Sequence, residues 1–223
     1  MTRVVQPEDI GRRRPPPWPS LLGVAVPLLA FVVLAARVPR ERPFGWDIPV
    51  ANAVDALAPV SSGSVHLDPY IQGITIGVAV ATALVALVLL ARRQTRAAVF
   101  LLAAVGGSVL LSALAKAMVR REAIESPAGE YSFPSGSGAW SLATLLALLL
   151  LAPPGRPRRV LALVGLAFVL GYAALITFEE WHYPSDLVAS WCLAAAWVAA
   201  LSLVLPGRAA RSPVGAAPRS RRG

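Results

Sequence analysis

A histidine and an aspartate four residues apart form the most chemically suggestive pair in the sequence. His182 and Asp186 belong to the segment 181–186, which reads WHYPSD and precedes a long apolar run. Because Pro184 suits the first turn of a helix, a helical path would place both side chains on one face. A carboxylate bonded to one ring nitrogen fixes the imidazole tautomer and raises the basicity of the other nitrogen. The pair fits a nucleophilic histidine, and a hydrogen-bonded histidine without a reaction is the alternative.

A short run of small residues begins the fourth apolar stretch of the chain. Residues 133–138 read FPSGSG and include Ser135, Gly136 and Ser137. Small residues let backbone amides approach a ligand, and a helix N-terminus presents unpaired N–H groups at the positive end of the helix dipole. The run therefore fits an oxyanion site with added serine hydroxyls. The alternative is an ordinary helix cap that holds no ligand.

Basic residues cluster near the end of the third apolar stretch. Lys116, Arg120 and Arg121 fall within six residues of one another. Ammonium and guanidinium groups could clamp a phosphate, and the guanidinium offers it a planar fork of donors. Alternatively, these side chains extend from the end of a membrane helix toward lipid headgroups.

The composition indicates what kind of protein must position these residues. Of the 223 residues, 56% are hydrophobic and only 15% are charged, and the mean hydropathy is +0.62. Soluble domains carry about 25% charged residues, so the composition argues against a soluble globular enzyme, a disordered chain and a fibrous protein. The single cysteine, Cys192, excludes internal disulfides and a CxxC zinc site.

Six apolar stretches are candidates for membrane spans, each of which needs about 20 mostly apolar residues. Backbone inside a bilayer must hydrogen-bond to itself, so the sequence predicts an all-α integral membrane protein built as a six-helix bundle. We expect the first stretch to be retained, because it is longer than the core of a usual signal peptide. The predicted spans cover residues 21–38, 71–91, 97–119, 139–152, 160–178 and 187–205.

Charge asymmetry predicts the orientation of these spans. Of the 21 basic residues, 15 lie in the two tails and in the second and fourth connections, whereas 10 of the 12 acidic residues lie on the other side. Basic connections face the cytoplasm, so both termini are expected there. The net charge of +9 then reflects topology and contact with anionic lipid headgroups, and nucleic acid is not an expected partner.

One membrane domain is expected, at residues 20–206. The flanking segments 1–19 and 207–223 are predicted to be disordered cytoplasmic tails, because their Pro, Gly, Ala and Arg content cannot form a core. The chemically suggestive residues then lie in or beside the connections 120–138 and 179–186, away from the cytoplasm.

The three segments together resemble the PAP2 family, the membrane-associated type 2 phosphatidic acid phosphatases. Lys116, the Pro-Ser-Gly run from Pro134 and the His-x-x-x-Asp pair match the order and spacing of the family's motifs, and the resemblance extends over residues 21–205. It implies a six-helix fold with an active site at the outer face. It further implies a lipid phosphate or diphosphate as substrate, and no metal or other cofactor.

The resemblance also assigns roles to individual residues. It makes His182 the nucleophile that forms a phosphohistidine, and Asp186 the partner that orients the imidazole ring. The expected substrate-binding residues are Lys116, Arg120, Arg121, Ser135, Gly136 and Ser137.

The chain departs from the family's pattern at three places. Ser137 stands where the family has a general-acid histidine, and general-acid help is worth about 10²–10⁴-fold in rate. Ala123 and Ile124 replace an Arg-Pro pair. Leu175 and Ile176 replace a Ser-Arg pair. Each lost charge-assisted bond weakens a phosphate site by about 1.5–3 kcal/mol.

Two glutamates, Glu179 and Glu180, are candidate modulators of the neighbouring His182. Their charges are expected to repel a phosphate and to raise the pKa of the imidazole, or one of them could replace the missing acid if it is buried. A solvated loop edge is the unreactive alternative. A zinc or manganese site is a further alternative. Its ligands would come from Glu179, Glu180, His182, Asp186, His66 and Asp68.

The sequence thus predicts a phosphatase-like protein of a bacterial-type plasma membrane, with its active site facing the outside. The alternative is a catalytically impaired member of the same family that binds a lipid headgroup or a partner protein. A transporter is disfavoured, because the spans lack intramembrane charges and paired broken helices. Neither the lipid nor any protein partner is identified by the sequence.

Overall fold

The computed structural model of the protein describes residues 18–38, 43–57, 67–122 and 131–205. These residues form seven α-helices and no extended strand, apart from an isolated antiparallel bridge between Glu122 and Tyr131. The helices are α1 (Trp18–Arg37), α2 (Asp47–Leu57), α3 (Asp68–Ala91), α4 (Thr95–Val119), α5 (Gly136–Leu151), α6 (Arg156–Phe178) and α7 (Pro184–Val204). Residues 1–17 and 207–223 of the expected tails, and the expected boundary at 206, lie outside the described residues. Helix α1 begins at Trp18, two residues before the expected start of the membrane domain at residue 20.

Five of the predicted spans are confirmed as helices long and apolar enough to cross a membrane, namely α1, α3, α4, α6 and α7. The fourth predicted span corresponds to α5, which begins at Gly136 and has 16 residues. At about 1.5 Å per residue this helix is about 24 Å long, less than the roughly 30 Å of a bilayer core. The described residues are therefore all-helical with five candidate membrane-spanning helices, and the count of six spans is not confirmed.

Helix α2 was not predicted from the sequence, which suggested only a connection between the first two spans. This helix has 11 residues, so it is too short to cross a membrane, and it packs against α6 and α7. It begins at Asp47, where a carboxylate is favourable beside the free N–H groups of a first turn. Pro49 lies in that same turn, the one part of a helix that tolerates proline.

Helix α7 lies at the centre of the fold and packs against α1, α4 and α5. The core of this bundle combines a few large side chains with many alanines, which allow helix backbones to approach closely. Its buried members are Ala86, Phe100, Leu101, Ala104, Ala143, Ala147, Ala194 and Val198. Large aliphatic side chains on α1, α3 and α6 remain exposed, as lipid-facing helices require.

The two ends of the bundle differ in charge. One end carries the short turns between α3 and α4 and between α5 and α6, and its exposed basic side chains are Arg92, Arg93, Arg96, Arg156 and Arg159. The other end holds the start of α2 and the connections that precede α5 and α7. Hydrogen bonds and ion pairs fasten these elements together, as described below. The candidate functional residues all lie at this second end.

Candidate active site

The segment that begins α5 and the segment that begins α7 are in direct contact. The Ser135 amide donates a hydrogen bond to the Asp186 carbonyl oxygen over 3.1 Å. The Ser135 hydroxyl accepts from the Gly138 amide at 3.2 Å and caps α5, while Ser112 of α4 donates to the Pro134 carbonyl oxygen at 3.2 Å. The two motifs singled out in the sequence therefore form one local structure.

His182 and Asp186 face each other within this structure. The aspartate is fully buried in the first turn of α7, and its Oδ2 accepts a hydrogen bond from the Tyr183 amide at 3.1 Å. The same Oδ2 lies 3.6 Å from His182 Nδ1, slightly beyond hydrogen-bond distance. This distance is compatible with the predicted orienting role of the carboxylate, since catalytic hydrogen bonds are often long before substrate binds.

Burial lowers the pKa of His182 below its ordinary value, because the charged imidazolium loses solvation. The Asp186 carboxylate opposes this effect, whereas the charges of Lys116 and Arg121 reinforce it. This net direction is opposite to the rise expected from Glu179 and Glu180, and neither glutamate is among the causes of the shift. The ring is held in its neutral form, which is the form that can act as a nucleophile.

Arg121 lies next to this pair and is only 1% exposed. Its Nη1 donates to Asp186 Oδ1 at 2.6 Å and to the Ser185 hydroxyl at 2.8 Å. Its Nη2 lies 3.3 Å from Asp47 Oδ2, and its guanidinium carbon lies 4.1 Å from the centre of the Tyr183 ring. Much of its charge is thus directed at protein carboxylates, and its expected role as a phosphate ligand stays a prediction.

The remaining expected substrate ligands line the same end of the bundle. Lys116 is half-buried in the last turn of α4, and its charge acts on His182. Arg120 is exposed, has a left-handed backbone with φ of 54°, and donates to the Ala117 carbonyl oxygen at 3.1 Å. Gly136 and Ser137 are half-buried in the first turn of α5, where the N–H groups of the helix begin.

The two glutamates have different surroundings. Glu179 Oε1 accepts a hydrogen bond from the Leu67 amide at 3.1 Å, immediately before α3. Glu180 is exposed, with a left-handed φ of 58°. A second link joins the same elements, since Trp181 Nε1 donates to Asp68 Oδ1 at 3.0 Å. Glu179 thereby fastens α3 to the connection between α6 and α7.

The metal alternative finds no support in the part of the chain that the structure describes. No three histidine, cysteine, aspartate or glutamate side chains come together there as a metal site would need. Of the residues considered for it, His66 lies outside the described ranges.

One position at which the family has arginine is part of the apolar core. Ile176 is fully buried and belongs to a cluster with Tyr172 and Leu187, against which Leu175 packs. Ala123, at the other such position, lies outside the described residues. The α6 side of the site therefore contributes packing where a cation would be expected.

Asp47 is the site residue that the sequence interpretation missed. It comes from the unpredicted helix α2 and is fully buried, and it contacts both Arg121 and Ser185. Its only signal in the sequence is an isolated acid at the start of a short, weakly apolar segment.

Comparison with known proteins agrees with this geometry. No curated protein and no solved structure matches the chain. A family model described as the PAP2 superfamily matches residues 98–209, which include Lys116, the segment 133–138 and the His182–Asp186 pair. Because the match covers half of the 223 residues, the chain belongs to the PAP2 superfamily, a membership that supports a phosphatase-like function.

Proposed function

We propose that the protein is a membrane phosphatase that hydrolyses a lipid phosphate or diphosphate at the outer leaflet through a phosphohistidine. One observation carries the proposal: His182, buried and held neutral, lies 3.6 Å from Asp186 Oδ2, in a segment bonded to the capped start of α5. A nucleophile, its orienting acid and a set of helix N–H groups are thus combined at one end of a membrane bundle.

The proposed reaction has two steps. Since Nδ1 of His182 faces Asp186, Nε2 attacks the phosphorus atom, a P–N bond forms, and the bond from phosphorus to the lipid oxygen breaks. The departing oxygen takes a proton from water. Water then attacks the phosphohistidine, which releases inorganic phosphate and restores the neutral ring. Asp186 stabilises the positive charge that the ring acquires in the first step.

Phosphate oxygens gain negative charge in both steps, and donors placed around them lower the barrier. The proposed donors are Lys116 and the first-turn amides of α5 at Gly136 and Ser137. Helix N-termini bind oxyanions because their N–H groups are unpaired and the helix dipole is positive there. Lys116 is a mobile point charge suited to a phosphate.

The outer-leaflet assignment follows from the charge of the two ends. The end opposite the site carries the exposed arginines of both short turns, and basic connections remain in the cytoplasm. The site would then lie at the outer boundary of the bilayer. A lipid tail would enter laterally between helices, and its headgroup would lie beneath the segment 134–138.

A second candidate function is the binding of a lipid headgroup without turnover. It is favoured by Ser137, which stands where the family has its acid, and by the buried aliphatic Ile176 in place of an arginine. A serine hydroxyl is a poor proton donor near neutral pH, so this variant site would bind phosphate more readily than it cleaves it.

The decisive experiment measures inorganic phosphate released by the purified protein in lipid nanodiscs. Phosphatidic acid, lysophosphatidic acid and a polyprenyl diphosphate would be supplied in turn, with and without EDTA. We expect turnover of at least one lipid, no turnover by His182→Ala, and an acid-labile phosphoryl group on the wild-type enzyme after rapid quenching.

Substitution of His66, the second histidine of the chain, distinguishes a phosphohistidine mechanism from a metal-dependent one. We expect His66→Ala to retain turnover and EDTA to leave it unchanged. Loss of activity in His66→Ala or with EDTA would favour the metal site. Saturable lipid binding without phosphate release would favour the non-catalytic function.

A further inference from the structure

A buried carboxylate outside the matched residues 98–209 reaches into the proposed site. Asp47 is 0% exposed, and its Oδ1 accepts a hydrogen bond from the Ser185 amide at 2.8 Å. Its Oδ2 accepts from the Ser185 hydroxyl and from the Phe44 amide, each at 2.8 Å. Ser185 is the second residue of α7, and its amide has no partner within that helix. Asp47 of α2 therefore caps α7 from another element.

Arg121 links this cap to the proposed catalytic acid. Its Nη2 pairs with Asp47 Oδ2 at 3.3 Å, while its Nη1 pairs with Asp186 Oδ1 at 2.6 Å. The Ser185 hydroxyl stands between the two ion pairs, since it accepts from Nη1 and donates to Asp47. Three elements far apart in the sequence thus meet in one closed network of charge-assisted hydrogen bonds.

Within the network, the two carboxylate oxygens of Asp186 make different contacts. Oδ1 is held by Arg121, and Oδ2 accepts from the Tyr183 amide and faces His182 Nδ1. A carboxylate held at both oxygens is restrained from rotating, so Arg121 and the Tyr183 amide together fix the direction in which Oδ2 points at the ring. The position of Arg121, in turn, depends on the second carboxylate of the network.

We propose that Asp47 is a positioning residue for the histidine nucleophile, acting through Arg121 on Asp186. The inference rests on the proposed function, because it concerns the same His182 site. Without the charge of Asp47, Arg121 would keep only one of its two carboxylate partners, and its hold on the orientation of Asp186 toward the ring would weaken. A tether that merely joins α2 to α7 would instead affect folding and leave the ring undisturbed.

The test compares Asp47→Asn with a matched change on the same helix. Asn has nearly the shape of Asp and retains an acceptor for the Ser185 amide, while it removes the charge that faces Arg121. We expect kcat to fall at least about tenfold, equal to about 1.4 kcal/mol of activation free energy, with KM changed by less than about twofold. Asp55→Asn, on α2 but outside the network, should leave both constants unchanged.

A second measurement reports directly on the imidazole ring of His182. The chain has two histidines, so 15N-histidine NMR in a His66→Gln background reports on His182 alone. We expect Asp47→Asn to change the ring nitrogen shifts at neutral pH and Asp55→Asn to leave them as they are. If Asp47→Asn does not fold, Ser185→Ala removes the bridging hydroxyl without a change of charge, and the same changes are expected with smaller size.

The outcomes separate the two proposals. A lowered kcat together with altered ring shifts supports positioning by Asp47. Unchanged ring shifts, or a lower folded yield with unchanged kcat per folded molecule, overturn it. If the wild-type protein turns over no lipid phosphate, the proposed function fails, and the NMR comparison alone decides whether Asp47 positions His182.

Discussion

The nucleophilic role proposed for His182 needs a neutral ring, and burial favours that form. The pKa of this residue is lowered mainly by lost solvation, which outweighs the opposing effect of Asp186. The unfolded chain, by contrast, titrates near 6.5. Since the folded state resists protonation, the neutral form persists at pH values where an exposed histidine would already be charged.

The first prediction concerns the pH profile. The acidic limb of kcat/KM reports the pKa of the free enzyme's essential base, so its midpoint should lie below about 6.5. Stability should behave consistently: it is complete above the unfolded-state pKa and declines as the pH falls through 6.5 toward the folded-state pKa. A limb at or above 6.5 for lipid phosphate hydrolysis would contradict the assignment of a buried neutral ring.

A second residue-level prediction concerns the two adjacent arginines. Arg121→Met would leave two buried carboxylates, Asp47 and Asp186, without the cation between them. Breaking such a buried pair costs about 3–5 kcal/mol, measurable by equilibrium unfolding in mixed detergent micelles. Arg120→Met is the matched control, because that side chain is exposed and should cost less than about 0.5 kcal/mol. Equal losses in the two variants would refute the network.

The sequence predicts local pairs in this site better than distant ones. The four-residue spacing of His182 and Asp186 predicts that they lie close together. The structure brings them face to face, although His182 precedes the start of α7 at Pro184. Arg121, however, meets carboxylates 65 and 74 positions away. The residues next to an arginine in the sequence do not show whether it binds a phosphate or pairs with two distant aspartates.

At the scale of the elements, close approach of α5 and α7 brings the two motifs together. Gly138 lies against Ser190, and a Cβ at position 138 would collide with the serine hydroxyl and lie 3.2 Å from Leu187 Cδ2. This contact is one turn from the hydrogen bond that joins Ser135 to Asp186. The glycine is therefore required by packing between helices.

The third prediction tests this contact. Gly138→Ala should destabilise the protein by about 1–3 kcal/mol, the usual cost of overpacking, and lower activity by separating the motifs. Gly138→Ala with Ser190→Ala should recover part of the lost stability, since the colliding hydroxyl is gone. Gly171→Ala on α6 is the control: its Cβ would have nothing within 4 Å, so no loss is expected. An undiminished stability of Gly138→Ala would contradict the close approach.

Long apolar runs predict helices well, which is why five of the predicted spans are helices long and apolar enough to cross a membrane. Helix α2 cannot be predicted in this way, because its 11 residues are shorter than a span and mix Asp47, Asn52 and Asp55 with aliphatic side chains. Its helical form depends on contacts with α6 and α7, which are tertiary. Helix α5 is recognised as apolar, but its start depends on the cap at Ser135.

For the whole molecule, charge is sorted along the axis of the bundle. Exposed arginines occupy the turns at one end, and the buried Asp47, Asp186, Arg121 and His182 occupy the other. The exposed arginines carry little desolvation cost, because they contact water and anionic headgroups. The buried set is tolerated at a membrane boundary because its charges are paired. This polarity makes the orientation of the protein a testable property.

The final prediction therefore concerns topology. In a Cys192→Ala background, which removes the only cysteine, single cysteines would replace the exposed Arg93 at the basic end and the exposed Glu122 at the site end. We expect a membrane-impermeant maleimide to label position 122 in intact cells and position 93 only in inverted vesicles, because basic turns stay in the cytoplasm. The reverse pattern would place the His182 site at the inner leaflet and restrict its substrates to lipids made available there.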